Sequence, residues 1–186
     1  MKLNPRIAFF DSVEYSLTEK RILLAQGMID DAFLTSLRAR LVHLTSVSKK
    51  PITIYLNTVG GLITSGLGAY DLILSMRKVC PVNIMATGSC MSMGVVVLQA
   101  GTKRLATPHT TFLLHELQLS TGGALSKVLD DQTQAKRMQD TLDGIIEKRT
   151  GQNMTKLRQL FMRRDYYLNT AEMLKHRLID GIVGGE

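Results

Sequence analysis

Residues 82–100 read VNIMATGSCMSMGVVVLQA. A strand-like run, VNIMAT, follows Pro81 and reaches a turn at Gly88 to Ser92. From there the apolar segment SMGVVVLQA reads as a helix that stops at Gly101, since glycine ends helices readily. A strand that passes through a glycine turn directly into an apolar helix is the first half of a strand–helix–strand unit.

The segments on either side repeat the unit. Upstream, Arg21 to Gln26 (RILLAQ) reads as a strand. Asp30 or Asp31 then caps a helix that carries Phe33, Leu34, Leu37, Leu41 and Leu44 at helical spacing. Pro51 precedes the strand ITIYL, and NTVGG at Asn57 to Gly61 leads into an amphipathic helix from about Thr64 to Lys78. Leu67, Tyr70, Leu74 and Ile73 are the candidates for its inward face. Downstream, TTFLLHE is a fourth strand and carries His115. This alternation predicts an α/β fold with parallel pairing, right-handed crossovers and helices covering the sheet, and the apolar runs fit strands buried on both faces.

Beyond His115 the period changes. Gly123 to Arg149 forms one long helical pattern with Val128, Leu129, Met138, Leu142, Ile145 and Ile146, closed by Thr150 and Gly151. A helix of about 25 residues spans about 38 Å. In a domain this small it has to project or pack against another subunit, so the pattern points to oligomerisation. Asn169, Thr170, Ala171 and Glu172 match a reciprocal N-terminal cap, which places Asp165 in the loop before the last helix.

A chain of 186 residues is expected to form a single domain over 1–186 and to bury roughly 70% of its unfolded surface without staples. Hydrophobic residues make up 45% and charged residues 21%, which leaves no room for a long disordered tail. Cys80 and Cys90 have no metal or disulfide spacing and read as buried thiols of a reducing compartment. The start, MKLNPRIAFF, contains no signal core, and no run of about 18 apolar residues occurs. The expectation is a soluble cytoplasmic protein. The net charge of +7 is spread over pairs such as Arg38 and Arg40, Lys49 and Lys50, Lys136 and Arg137, Lys148 and Arg149, and Arg163 and Arg164, without interleaved aromatics. That distribution argues against a nucleic-acid partner, and the lack of an apolar span argues against a membrane.

Peptide-bond cleavage needs a nucleophile, a base, a group that orients the base, and donors for the oxyanion. Ser92, between a strand and a helix, would project at the carboxyl edge of the sheet, where such folds bind ligands. Taken singly, Ser92 is an ordinary helix cap, His115 a satisfied histidine, Asp165 a solvated loop carboxylate, and Gly60 with Gly61 a tight turn. Two strand-to-helix turns of one parallel sheet lie at the same edge, so the amides of Gly61 and Met93 can converge on one carbonyl oxygen.

At these residues the chain resembles the proteolytic subunits of the caseinolytic (Clp) proteases, the ClpP family, over almost its whole length. NTVGGLITSGLGAYD resembles the family's Asn-Ser-Pro-Gly-Gly segment and the helix after it. GSCMSMG resembles its Ala-Ser-Met-Gly nucleophile turn, KRLATPHTTFLLHE its histidine strand, and RTGQN with RRDYYLNTAEMLKHRLIDGI its closing region. The resemblance implies Ser92 as nucleophile, His115 as general base and Asp165 as its orienting carboxylate, with oxyanion donors at Gly61 and Met93. These are the roles of a serine triad. It further implies the crotonase-like α/β spiral, with a strand and long helix at about residues 116–150 forming a handle between two stacked seven-membered rings. Unfolded protein substrates would be fed in by an ATP-driven AAA+ unfoldase. The chain itself would carry no cofactor, ATP being used by the partner.

Three departures from the family pattern stand out. Val59 replaces the usual proline. ELQLSTGG after His115 replaces Gln-Pro and a glycine pair, so Glu116, Leu117, Leu119 and Ser120 bear on peptide docking and ring stacking. The N-terminus does not match the family's axial loops. In addition, Tyr55 resembles one aromatic of the unfoldase-docking pocket, while Thr53 stands where another aromatic is common. The rival readings are a catalytically silent subunit that assembles with an active paralogue, a crotonase-type enzyme acting on an acyl-CoA thioester, and a membrane-peptide hydrolase with a lysine base. His115 disfavours the last, and the lack of an adenine-binding loop disfavours the thioester enzyme.

Overall fold

The computed structural model describes residues 5–161 and 164–184; the opening MKLN and Arg163 of the last basic pair lie outside them. Seven strands form one sheet: β1 (Ile22–Gln26), β2 (Ile52–Thr58), β3 (Val82–Met91), β4 (Arg104–Ala106), β5 (Thr111–Leu114), β6 (Tyr166–Leu168) and β7 (Gly181–Ile182). The helices are α1 (Pro5–Glu19), α2 (Asp31–Val47), α3 (Ile63–Met76), α4 (Met93–Leu98), α5 (Leu125–Thr150), α6 (Met154–Phe161) and α7 (Thr170–Lys175).

The main path runs β1-β2-β3-β4-β7, with parallel pairing at every step. Its core strands alternate buried and half-buried positions, and Leu23, Ile52, Ile54, Leu56, Val82 and Ile84 are almost fully enclosed. This is the α/β arrangement expected from the alternating strands and helices. The sheet forks at β3. The first half of β3 pairs with β4 through Ile84 to Ala86, and its second half pairs with β5 through Ser89 to Met91. β5 in turn holds β6 antiparallel. Because β3 runs past the point where β4 leaves it, its last residues reach the outer edge beside β5. This places the Ser92 turn and the end of β5 together.

α2 begins at an Asp30 cap that accepts the Phe33 amide at 2.8 Å, and it buries Phe33, Leu37, Leu41 and Leu44. The inward face of α3 differs from expectation. Ser65, Gly66, Ala69 and Ile73 are buried, while Leu67, Tyr70 and Leu74 are half-buried. Small residues let this helix approach its neighbours: a Cβ on Gly66 would stand 2.2 Å from Met93 Cγ. The larger side chains therefore lie toward the margin of the contact.

Several other boundaries also differ. The first strand starts at Ile22, since Arg21 has φ 62° and hands five hydrogen bonds to the Leu44, Ser48, Lys50 and Pro51 carbonyls. The strand of His115 ends one residue before it, at Leu114. No ladder forms over 116–124 among the described residues, so the strand expected ahead of the long helix is not formed there. α5 is the long helix, two residues later in its start than the glycine suggested, and Gly151 closes it at φ 68°. Its Ile146 is buried and Leu142 and Ile145 pack against the core, whereas Leu125 and Leu129 near its start are exposed. β6 separates Asp165 from α7, whose Asn169–Glu172 capping box forms as expected. α1, α6 and the short strands β4, β6 and β7 were not anticipated, although Met154, Leu157 and Phe161 of α6 recur at helical spacing.

Candidate active site

Ser92 lies between β3 and α4 at φ 52° and ψ −122°, a conformation that a residue with a side chain adopts rarely. It occupies the helix-cap position, yet its side chain makes no cap hydrogen bond. Its Oγ instead lies 2.8 Å from His115 Nε2. The backbone is fixed on both sides, by the Ser92 amide to the Leu113 carbonyl at 2.8 Å and by Val95 N to the Ser92 carbonyl at 3.0 Å. The turn thus aims the hydroxyl at the imidazole across the β3–β5 pair.

The tautomer of His115 follows from its other nitrogen. Nδ1 stands 2.6 Å from the carbonyl oxygen of Glu116. A carbonyl can only accept, so Nδ1 carries the proton and the neutral ring offers Nε2 as acceptor to the Ser92 hydroxyl. A serine hydroxyl beside an unprotonated Nε2 is the geometry that general-base activation requires.

Asp165 is exposed, and among the described residues no hydrogen bond joins it to His115. Its placement is nonetheless specific. Leu114 pairs with Tyr166 at the end of the β5–β6 ladder, so one further antiparallel step sets Asp165 opposite His115.

Gly61 and Met93 both border the site. Ile29 N bonds the Gly60 carbonyl at 2.8 Å and Leu62 N bonds the Ile29 carbonyl at 2.7 Å. This bridge uses the groups on either side of Gly61, so the Gly61 amide is turned away from Ile29. A side chain is excluded there, because a Cβ would come within 2.3 Å of the Ile29 carbonyl oxygen. Met93 is the first residue of α4, and its amide has no acceptor within the helix.

Both residues line one cavity of about 360 Å³ with Ser92 and His115. Its remaining walls are mostly apolar: Ile63, Val96, Leu114, Leu142, Ile146 and Met154. Leu117 and Gln118 from the departed ELQLSTGG segment form its rim.

Gln139 and Asp143 also line the cavity, and no motif marks them in the sequence. Gln139 Oε1 accepts the Leu117 amide at 2.8 Å, and its Nε2 donates to Asp143 Oδ1 at 2.9 Å. Arg158 of α6 pairs with the other oxygen of Asp143. Burial raises the Asp143 carboxyl above its ordinary range, against the opposing pull of Gln139 and Arg158. The signal for these residues was present in the i, i+4 spacing of a glutamine and an aspartate on the face of α5 that carries Leu142 and Ile146.

Among the described residues no group of three or more His, Cys, Asp or Glu side chains could hold a metal, and no helix is long and apolar enough to cross a membrane. Cys90 is fully enclosed, and burial pushes its thiol far up, which makes it inert as a nucleophile.

A mostly parallel sheet that forks at its central strand, with a long helix beyond the fork, defines a mixed α/β protein of the ClpP fold. The family model described as Clp protease matches residues 7–186, and the chain belongs to that family. It is 30% identical over 173 residues to the ATP-dependent Clp protease proteolytic subunit 2 of Gluconobacter oxydans (strain 621H), a match covering 92% of this chain and 77% of that one. Membership supports a peptidase and implies, in general, oligomeric assembly and a Clp ATPase partner.

Proposed function

We propose that this chain is a serine endopeptidase subunit that cleaves unfolded proteins and peptides inside an oligomeric chamber. The observation that carries the reading is the 2.8 Å contact between Ser92 Oγ and His115 Nε2, made by a serine whose backbone is held at positive φ. Ser92 Oγ attacks the scissile carbonyl carbon while His115 Nε2 takes its proton. The developing oxyanion lies against the Gly61 and Met93 amides, and the imidazolium returns the proton to the departing amine. Water then enters, is deprotonated by His115, and releases the acyl group from Ser92. In this reading Asp165 is the carboxylate that supports the imidazolium, approaching from its register position opposite His115.

The assembly proposed is two stacked seven-membered rings of this chain, alone or mixed with a paralogue, joined through the handle at about residues 116–150. Exposed Leu119, Leu125 and Leu129 support an interface there, since the chain itself leaves them uncovered. An AAA+ unfoldase would spend ATP to deliver substrate, and the chain would need no cofactor of its own. The compartment proposed is the cytoplasm.

One observation favours a second reading. Among the described residues Asp165 makes no hydrogen bond to His115, which leaves the triad incomplete and supports a catalytically silent subunit that assembles with an active paralogue. A fluorophosphonate separates the two. The first reading expects a covalent adduct on Ser92 of the purified chain, lost in Ser92→Ala and His115→Ala. The absence of any adduct, even in fractions of ring size, would favour the silent subunit.

A further inference from the structure

The amide between Glu116 and Leu117 is held at both ends. Its carbonyl oxygen takes the His115 Nδ1 proton at 2.6 Å, and its N–H goes to Gln139 Oε1 at 2.8 Å. The orientation of the Gln139 amide is fixed by its two neighbours: a backbone N–H needs an acceptor, and the Asp143 carboxylate needs a donor. Every donor therefore points the same way, from Ser92 through His115, the peptide and Gln139 to Asp143, where Arg158 closes the chain. Hydrogen bonds aligned head to tail polarise one another, and here the series ends on a half-buried carboxylate paired with α6.

We propose that Gln139 is a positioning residue for His115. Acting through the Glu116–Leu117 peptide and supported by the charge of Asp143, it holds the imidazole ring and its Nδ1–H tautomer in the free subunit. The inference rests on Ser92 and His115 being the nucleophile and base, and it adds a means of orientation distinct from Asp165. An unanchored peptide after His115 could rotate about its flanking bonds, because residues 116–124 form no ladder that would fix it. Gln139 supplies from α5 the restraint that the missing strand pairing does not.

The tautomer can be read directly. The chain has four histidines, so 15N-labelled histidine with His115→Gln as the assignment control resolves the His115 ring by NMR. Gln139→Leu removes both hydrogen bonds at similar volume, and Asp143→Asn removes only the charge. The Nδ1–H form is expected to dominate in the wild type and to give way to a mixture in Gln139→Leu. Fluorophosphonate labelling of Ser92 should slow about tenfold, as loss of one charge-supported hydrogen bond predicts. Asp143→Asn should move both quantities in the same direction by less. A wild-type tautomer in both variants overturns the proposal, even if labelling slows, because a merely structural role would leave the ring unchanged. If Gln139→Leu does not fold, the tautomer ratio in Asp143→Asn decides. Failure of the wild type to label would count against the peptidase reading alone, since the tautomer measurement does not depend on activity.

Discussion

Gly60 lies directly against Ser92: a Cβ at position 60 would stand 2.7 Å from Ser92 Cβ, 2.9 Å from the Met91 carbonyl oxygen and 3.2 Å from the Met93 amide nitrogen. Two turns of the sheet thus meet without a side chain between them, beside the residue held at positive φ. Gly60 itself has φ 100°, outside the range of other residues.

Gly60→Ala should therefore damage the site more than the fold. The strain at one such position is about 1–3 kcal/mol, which lowers the melting temperature measurably. The methyl also displaces the Ser92 hydroxyl and the Met93 amide, and the loss of one aligned oxyanion donor slows acylation about 100-fold. Thermal melting and the rate of Ser92 labelling in the same sample check both. A variant that labels at the wild-type rate would show that the two turns are not coupled.

Asp165→Asn tests the carboxylate opposite His115. If Asp165 supports the imidazolium, the variant keeps its fold and loses acylation by about 100-fold or more, as other triads do when this charge is removed. Because Asp165 is exposed, its removal should leave the melting temperature within about 1 °C of the wild type, a change of a few tenths of a kcal/mol. An unchanged labelling rate would remove Asp165 from the mechanism.

How far this was readable without coordinates depends on the range of the interactions. β1, β2 and β3 and the helices after them declared themselves, because apolar period and glycine turns are local signals. Asn169 and Glu172 predicted their own cap for the same reason. On α3 the large residues Leu67, Ile73, Tyr70 and Leu74 do pack against the core, Ile73 fully buried and the other three half-buried. Ser65, Gly66 and Ala69 are buried beside them, where the backbone must come close to Met93, a contact that no period reveals. The candidate site rested on the family resemblance carried by the motifs around Gly61, Ser92, His115 and Asp165, since each residue taken singly has an ordinary structural role. What the motifs lacked was the Gln139–Asp143–Arg158 series, which joins α5, α6 and the segment after His115 and so depends on tertiary placement.

The cavity beside Ser92 predicts a cleavage preference. Ile63, Val96, Leu142, Ile146 and Met154 would enclose the side chain preceding the scissile bond. Full burial of a leucine or methionine is worth about 1.5–3 kcal/mol, so peptides with either residue there should be cleaved at least about tenfold faster than the aspartate analogue. Met154→Trp narrows the cavity and should abolish the preference for large apolar residues while sparing alanine. A peptide series assayed by kcat/KM checks both.

Away from the site, Asp180 predicts a pH dependence of stability. Its carboxylate accepts from the Arg104 backbone amide at 2.8 Å and from the Arg104 guanidinium at 3.1 Å and 2.5 Å, and Gln99 takes the remaining guanidinium edge at 2.6 Å. Burial alone would raise the Asp180 carboxyl, but the bonds and charge of Arg104 outweigh it and hold the group below its ordinary value. A carboxyl depressed in the folded state binds its proton more tightly when unfolded. Its stabilising contribution is therefore complete above about pH 4, the ordinary carboxylate value, and is lost as the pH falls through the lower folded value. Asp180→Asn should melt lower than the wild type at pH 7, and the difference should shrink as the pH approaches 3. Asp180 is partly exposed, which limits the cost at pH 7 to about 2 kcal/mol, below that of breaking a fully enclosed pair. A difference that stays constant from pH 7 to pH 3 would mean that shape, rather than charge, accounts for the role of Asp180 against Arg104.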